Sequence, residues 1–243
     1  MAHMTSERVL AQDLLGGSAS RLVRTVDGFH GPDWSAPSLL PGWSRAHVVA
    51  HLALNAEALT RVLHGLVADA ESPLSMYDSD EKRNLDILDL AEARPGEIRA
   101  RLMAGTTIFQ DAIDAVPDGT WETRIERTPG GRAIRIAAFP GMRLREIEIH
   151  HVDLDAGYRT RDWSPAFSEH ALDAMTRRLD PEQPFEVRPL DSKRTWVLGP
   201  DDSEYAVPVV TGPAADLAWW LTGRPAPDTL SCSRGELPEI GAW

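Results

Sequence analysis

The chain has 243 residues, of which 42% are hydrophobic, so it can form one large domain or two smaller ones with an ordinary core. Its formal net charge is -12 without a basic stripe, which argues against a nucleic-acid partner and against attraction to an anionic membrane. A single cysteine, Cys232, excludes an intrachain disulfide and favours a cytoplasmic location, and no apolar run approaches the length of a transmembrane helix.

Four segments have apolar residues at helical spacing and predict four long helices, at residues 6–26, 44–67, 95–116 and 142–154. Ser44 is a suitable N-cap for the second helix, and Pro95 is tolerated in the first turn of the third. Between them a shorter helical stretch begins near Ser79. Four helices with substantial loops are the pattern of a four-helix bundle, which places metal ligands on facing helices.

Residues 121–138 have an alternating pattern with a Pro-Gly-Gly turn at 129–131, which is consistent with a hairpin or an irregular connection. Beyond Gly157 we expect a helix at 165–179, short strands at 185–187, 195–198 and 205–210, a helix at 213–223 and a last strand at 229–237. The predicted fold is therefore mainly α, with a four-helix bundle at 5–157 followed by a small α+β domain at 163–243.

Two polar side chains on the fourth predicted helix suggest a metal site. Glu146 and His150 are four residues apart, so on a helix they point the same way and can both reach one divalent ion. The same spacing also occurs in ordinary helix pairs that form only a hydrogen bond. A third ligand would come from the second helix, where His47, His51 and Asn55 form a polar row that indicates either a wet seam or the lining of a site.

Several segments together carry a resemblance to a known family. They are the stretch from Leu40 to His51, which contains Gly-Trp-Ser-Arg and two histidines, and three shorter pieces: Met76-Tyr77 with Arg83-Asn84, the stretch from Arg145 to Leu154, and Thr222-Gly223-Arg224. On these residues the chain resembles the mycothiol-dependent maleylpyruvate isomerases, which are related to the wider DinB-like thiol transferases. The resemblance spans nearly the whole chain.

The resemblance implies a zinc ion bound by His51, Glu146 and His150. Three protein ligands leave one coordination position open, which is the catalytic pattern, although this donor set does not exclude another divalent metal. His47 has two possible roles. It could be a fourth ligand that closes the site, or it could be a neighbour that packs beside it.

The resemblance also implies a reaction and a thiol cofactor, mycothiol. Metal coordination deprotonates a thiol. The thiolate adds to the cis double bond of maleylpyruvate, the resulting single bond rotates, and loss of the thiolate leaves the trans product, fumarylpyruvate. Arg83 and Arg224 match the catalytic positions that bind the carboxylates, for which a planar guanidinium is suited. Tyr77 and Asn55, with Arg83, are candidates for binding the cofactor. Arg224 would reach the site from the second domain, across a cleft.

Two other functions remain open from the sequence. The same metal and thiol could serve a mycothiol S-transferase that acts on another electrophile, because related domains change substrate while the fold persists. The chain could also be a non-enzymatic metal-binding module, which predicts a closed coordination sphere that includes His47. For the enzyme, the expected partners are a small thiol and a small anionic or electrophilic substrate.

Overall fold

Five helices make up most of the first of two units of the chain, Met1–Tyr158. In chain order they are α1 (Ala2–Asp27), α2 (Arg45–Val67), α3 (Asp80–Ala91), α4 (Pro95–Asp114) and α5 (Phe139–Asp153). Helices α1 and α2 each contact both α4 and α5, so these four form the predicted bundle, while α3 packs against α2. The computed structural model describes residues 2–68, 74–200 and 206–241.

Helix α2 is buried around most of its surface, which agrees with its continuous run of apolar and small residues. Small residues also let α4 approach α2 closely. A Cβ atom added at Gly105 would lie 3.1 Å from the Cβ of Ala56 and 3.5 Å from the carbonyl oxygen of Ala53. Helix α1 continues without interruption through Gly16 and Gly17. Packing of the helix therefore offsets the loss of helix stability that glycine causes.

Helix α5 begins at Phe139, three residues before the predicted start. Pro140 lies in its first turn, where a missing N–H group costs nothing. Most of the helix is buried, including polar residues that a solvent-exposed face would normally carry. Such residues need hydrogen-bond partners inside the protein, and these partners build the site described below.

The segment before α5, for which the sequence allowed a hairpin or an irregular connection, forms a short hairpin. Strands β1 (Arg124–Glu126) and β2 (Ala133–Arg135) are antiparallel, with Ile125 opposite Ile134. The segment before α3 joins this hairpin, because the N–H groups of Met76 and Tyr77 donate to the carbonyl oxygens of Glu126 and Arg127 at 3.1 and 3.0 Å. The hairpin therefore fixes the position of Tyr77.

In the second unit, Arg159–Trp243, the described residues form two α-helices and a four-stranded sheet, which confirms the predicted small α+β region after the bundle. Its elements are α6 (Pro165–Thr176), β3 (Phe185–Pro189), β4 (Trp196–Leu198), β5 (Val209–Gly212), α7 (Ala214–Trp220) and β6 (Ser231–Cys232). The strand order is β4-β3-β5-β6, with β3 parallel to β5 and the other neighbours antiparallel.

Some predicted boundaries in this unit were wrong. Strand β5 begins at Val209, whereas the predicted strand began at Tyr205, which lies outside the described residues. The predicted strand at 229–237 is only two residues long, because a turn at Pro227–Leu230 precedes it and Gly235, with φ of 93°, turns the chain after it. In the described part of the chain, no helix combines the length and apolarity needed to cross a bilayer.

Candidate metal centre

Three side chains from two helices converge in the interior of the bundle. The side chain of His51 on α2 lies 2.8 Å from Glu146 on α5, measured between Nε2 and Oε2, and the Nε2 atom of His150 lies 3.2 Å from the same oxygen. The three potential ligand atoms all lie within 4.8 Å of one another. Two imidazole nitrogens and one carboxylate oxygen at this separation fit a divalent transition metal such as zinc.

The site is buried, and burial sets its protonation states. His51 is 2% exposed, and burial lowers the pKa of its imidazole to about 4 despite the nearby Glu146 carboxylate. Burial acts to raise the pKa of Glu146, but the interactions of its carboxylate with the imidazoles of His51 and His150, including their hydrogen bonds, hold that pKa well below its usual value. At neutral pH the carboxylate is therefore ionised and His51 is neutral, which are the forms that bind a metal.

His150 is held by a second carboxylate that sequence reasoning did not single out. Its Nδ1 atom lies 2.8 Å from Oδ2 of Asp153, which is fully buried. Burial opposes protonation of His150, but Asp153 and Glu146 raise its pKa. An Nδ1–H group that donates to Asp153 leaves Nε2 available for a metal, which is the usual carboxylate–histidine–metal arrangement. Asp153 lies in the stretch from Arg145 to Leu154 that carries the family resemblance, and its spacing of three residues from His150 was the local signal for this contact.

Arg83 reaches the same site from α3. Its Nη2 atom lies 3.1 Å from Nδ1 of His51, and its guanidinium lies 5.6 Å from the ring of Tyr77. Ser79 caps α3 by accepting a hydrogen bond from the backbone N–H group of Lys82 at 3.0 Å, which fixes the helix start. The structure thus brings the predicted residues Arg83 and Tyr77 together beside His51.

A cavity of about 100 Å³ lies next to these side chains and is lined by Tyr77, Arg83 and Lys82 together with acidic residues. A larger cavity of about 260 Å³ is lined by residues of α1, α4 and α5, including Arg143, and the three potential metal ligands line neither cavity. The smaller cavity is the better candidate for a ligand, because its lining includes Arg83, whose guanidinium lies against the ring of His51.

Asn55 lies one turn beyond His51 on α2 and is 3% exposed. Its side-chain oxygen accepts a hydrogen bond of 2.9 Å from Nη1 of Arg143, which also donates to the carbonyl oxygen of Leu52 at 2.7 Å. Arg143 is fully buried, and burial lowers its pKa to about 10, so it remains charged at neutral pH. Sequence reasoning missed Arg143, because an arginine on an amphipathic helix is normally solvated.

Other polar residues near the site have structural partners. Nδ1 of His47 accepts from the backbone N–H group of Ser44 at 3.3 Å, and His47 is outside the group of potential ligands. On another face of α5, Glu148 accepts hydrogen bonds from Arg21 at 2.6 Å and from the Tyr158 hydroxyl at 2.5 Å. These residues stabilise the helix ends and the packing of α5.

The loop before α2 is fastened to the end of α5. The N–H group of Leu39 donates to the carbonyl oxygen of Asp153 at 2.8 Å. Arg45 donates through Nε to the carbonyl oxygen of Leu154 at 2.8 Å and through Nη2 to that of Asp155 at 2.6 Å. These bonds satisfy carbonyl groups at the helix end, and they hold the start of α2 beside the end of α5, which sets His51 opposite His150.

Arg224 lies in the second unit, directly after α7. Its guanidinium lies 5.1 Å from the ring of Trp219. Gly223 before it has φ of 77°, which suits the turn that follows a helix. Its predicted role in substrate binding stays a prediction.

Comparisons with known proteins agree with these observations. Residues 15–155 match the family model described as the mycothiol maleylpyruvate isomerase N-terminal domain, and residues 162–241 match the corresponding C-terminal domain. Two crystal structures of the mycothiol-dependent maleylpyruvate isomerase, one of them a histidine-to-alanine mutant, superpose with TM-scores of 0.83. They are 26% and 25% identical to this chain, and the matches cover 99% of this chain and 97% of theirs.

Curated relatives extend the comparison to mycobacteria. Uncharacterised proteins of two Mycobacterium tuberculosis strains, CDC 1551 / Oshkosh and ATCC 25618 / H37Rv, are each 29% identical over 226 aligned positions, covering 81% of this chain and 78% of the relative. The resemblance in the sequence is thus confirmed over both parts of the chain. The chain belongs to the mycothiol maleylpyruvate isomerase family.

Proposed function

We propose that this protein is a metal- and mycothiol-dependent isomerase that converts maleylpyruvate to fumarylpyruvate, with zinc as the metal. The observation that carries the proposal is the convergence of His51, Glu146 and His150 beside Arg83, in a chain matched by both family models. The names of the two structural neighbours support the reaction and the thiol.

His51, Glu146 and His150 would hold the metal, and a divalent ion bound there supplies the Lewis acid that keeps a thiol in its reactive thiolate form. The donor set supports this assignment, because His51 is neutral and Glu146 is ionised at neutral pH. Asp153 orients the ring of His150 so that Nε2 faces the other two donors. Three protein ligands leave a position for the thiol, which a closed four-ligand site would not.

Arg83 is the residue of the first unit that is suited to bind a carboxylate of the substrate. Its guanidinium is half-buried beside Tyr77 and the smaller cavity, so an ion pair there is screened less than one on the surface. The stack on Tyr77 restricts the side chain before a ligand arrives, which lowers the cost of ordering it. We assign the second carboxylate to Arg224, as the resemblance implies.

The chain's own polar groups also stabilise the negative charge that develops on the substrate during addition. Arg83 is the donor nearest to His51, with Nη2 3.1 Å from its Nδ1, whereas the side-chain oxygen of Asn55 accepts from Arg143. Donors already in place in a buried site stabilise developing charge more strongly than water does. Cys232, the one cysteine, lies in the second unit at a sheet edge, so the nucleophile of the proposal is the cofactor thiol.

The test is to mix zinc-loaded protein with maleylpyruvate and to follow loss of the cis compound, with and without mycothiol. We expect turnover to fumarylpyruvate that requires the thiol. The Glu146→Ala variant should lose bound metal and rate together. A control variant, Asp27→Ala, removes a carboxylate at the end of α1 that pairs with Arg99 at 2.6 Å and lines neither cavity, and it should retain both.

Two outcomes would contradict the proposal. If the protein binds zinc and mycothiol but leaves maleylpyruvate unchanged, the site belongs to an S-transferase, and a screen of electrophiles follows. If it binds neither zinc nor mycothiol, the contacts among His51, Glu146 and His150 are a structural hydrogen-bond cluster.

A further inference from the structure

One buried arginine of the bundle has a charge that no carboxylate is paired with. Arg143 is 1% exposed, and its two hydrogen bonds, both from Nη1, go to the neutral oxygens of Leu52 and Asn55. Its Nη2 atom has no hydrogen-bond partner, and it forms no ion pair, among the residues that the structure describes. A buried charge held only by neutral groups is strongly destabilising in general, because the charge loses its hydration without gaining an ionic partner.

A purely structural role would be better served by an ion pair. Asn55 accepts from the guanidinium at 2.9 Å, and an aspartate at position 55 would accept the same hydrogen bond while neutralising the charge. The carboxylate that attracts Arg143 is Glu146, one turn further along α5, but its Oε2 is already shared by His51 and His150. The pairing of Arg143 with an amide therefore preserves a positive charge about one helical turn from the potential metal ligand Glu146.

We propose that Arg143 stabilises an anion bound at the metal centre, and that Asn55 holds its guanidinium in place without neutralising it. The anion is the thiolate of the cofactor in the proposed reaction, so this inference rests on the proposed function. Arg143 acts through the field of its charge, since it is 1% exposed and lines the larger cavity between α1, α4 and α5, not the smaller cavity beside Arg83. In a buried site such a charge is screened much less than at the surface.

The proposal predicts opposite effects on two ligands. The positive charge of Arg143 near the site weakens binding of the metal cation and strengthens binding of an anion to that metal. Asn55→Asp keeps the hydrogen bond to Arg143 and cancels its charge. We therefore expect the variant to bind the metal about tenfold more tightly and the thiol about tenfold more weakly. Loss of structure would instead weaken both.

The experiment uses the cobalt(II)-loaded full chain, because a thiolate bound to cobalt absorbs in the near ultraviolet. Metal affinity is measured by competition with a chelator, and mycothiol affinity is measured from the thiolate absorption at one fixed pH. The matched control is Gln12→Glu, because Gln12 accepts from Arg8 at 3.0 Å on α1, outside the metal site. This control makes the same amide-to-carboxylate change and should leave both affinities as in the wild type.

A second pair of variants keeps the test independent of the new carboxylate. Arg143→Met removes the charge and should shift both affinities in the same directions as Asn55→Asp, while Arg143→Lys keeps the charge and should restore thiol binding at least in part. Thermal denaturation of each variant shows whether it is folded. If Arg143→Met does not fold, the decision falls to Asn55→Asp, which retains the hydrogen bond.

The results separate this inference from the proposed function. Unchanged thiol affinity in Asn55→Asp, or weaker binding of both metal and thiol, would overturn the role of Arg143. If the wild-type protein binds cobalt but not mycothiol, the proposed function fails, and thiocyanate then replaces mycothiol as the anionic probe. Thiocyanate that binds equally well to the wild type and to Asn55→Asp would overturn the inference itself.

Discussion

Replacement of Asp153 by asparagine tests how the metal centre is supported. The substitution keeps an oxygen that can accept from Nδ1 of His150 but removes the negative charge behind the ring. The backbone carbonyl of Asp153, which accepts from Leu39, is retained, so the loop before α2 stays attached. We expect Asp153→Asn to fold and to bind zinc more weakly.

The size of the effect follows from the geometry of this contact. Asp153 is fully buried and lies 2.8 Å from His150, so the hydrogen bond is charge-assisted and unscreened by solvent. Removal of a carboxylate behind a metal-binding histidine typically lowers metal affinity about 10- to 100-fold, or about 1.4–2.7 kcal/mol. The replacement amide retains a neutral hydrogen bond, which places the expected loss towards the lower end of this range.

Zinc affinity would be measured by competition with a chromophoric chelator, with both proteins at the same fixed pH. The control is Asp173→Asn in the second unit. Asp173 is likewise a carboxylate that accepts hydrogen bonds from side chains, from Arg194 at 2.5 Å and from Trp196 at 2.8 Å, but it lies outside the metal site. The control should bind zinc as the wild type does. Wild-type zinc affinity in a folded Asp153→Asn protein would refute the supporting role of Asp153.

Three further predictions follow from the same contacts. The apparent zinc affinity should fall as the pH is lowered from 8 to 5, by up to about tenfold per pH unit. The reason is that Asp153 and Glu146 raise the pKa of His150, so the metal must displace a proton from its ring. Calorimetry that finds a constant affinity over this range would contradict this prediction. Arg45→Met should lower the free energy of unfolding by about 1–3 kcal/mol, because two carbonyl groups at the end of α5 lose their donors; a urea denaturation curve that overlays the wild type would exclude this. Ser79→Ala should cost about 1 kcal/mol through loss of the N-cap of α3, and amide hydrogen exchange should show faster exchange at the start of α3 but not at the start of α6.

The sequence was informative wherever a feature depends on residues close together in the chain. Helical spacing of apolar residues identified the four bundle helices, and the i,i+4 spacing of Glu146 and His150 placed both on one face of α5. Ser44 and Pro95 marked the helix starts correctly, because capping and the first-turn tolerance of proline are local effects. The family was also recognisable, because its motifs are short runs of consecutive residues.

The periodicity did not predict which polar residues are buried. An arginine or a carboxylate on an amphipathic helix normally faces solvent, yet Arg143 and Glu148 are each 1% exposed. Helix α5 packs against both α1 and α2, so little of its circumference is left for solvent. The limits of the strands in the second unit also depend on contacts between distant parts of the chain. A strand extends only as far as its neighbour pairs with it, and β5 pairs with β6 at only two positions.

Local pattern determined the helices, their caps and the pairing of Glu146 with His150, because these depend on interactions within one or two helical turns. Only the tertiary structure decided that His51 meets Glu146 from 95 positions away, and that Arg83 reaches His51 from α3. The same packing placed Arg143 against Asn55. Such contacts depend on how helices pack against one another, and the ridges that set this packing are formed by side chains far apart in the chain.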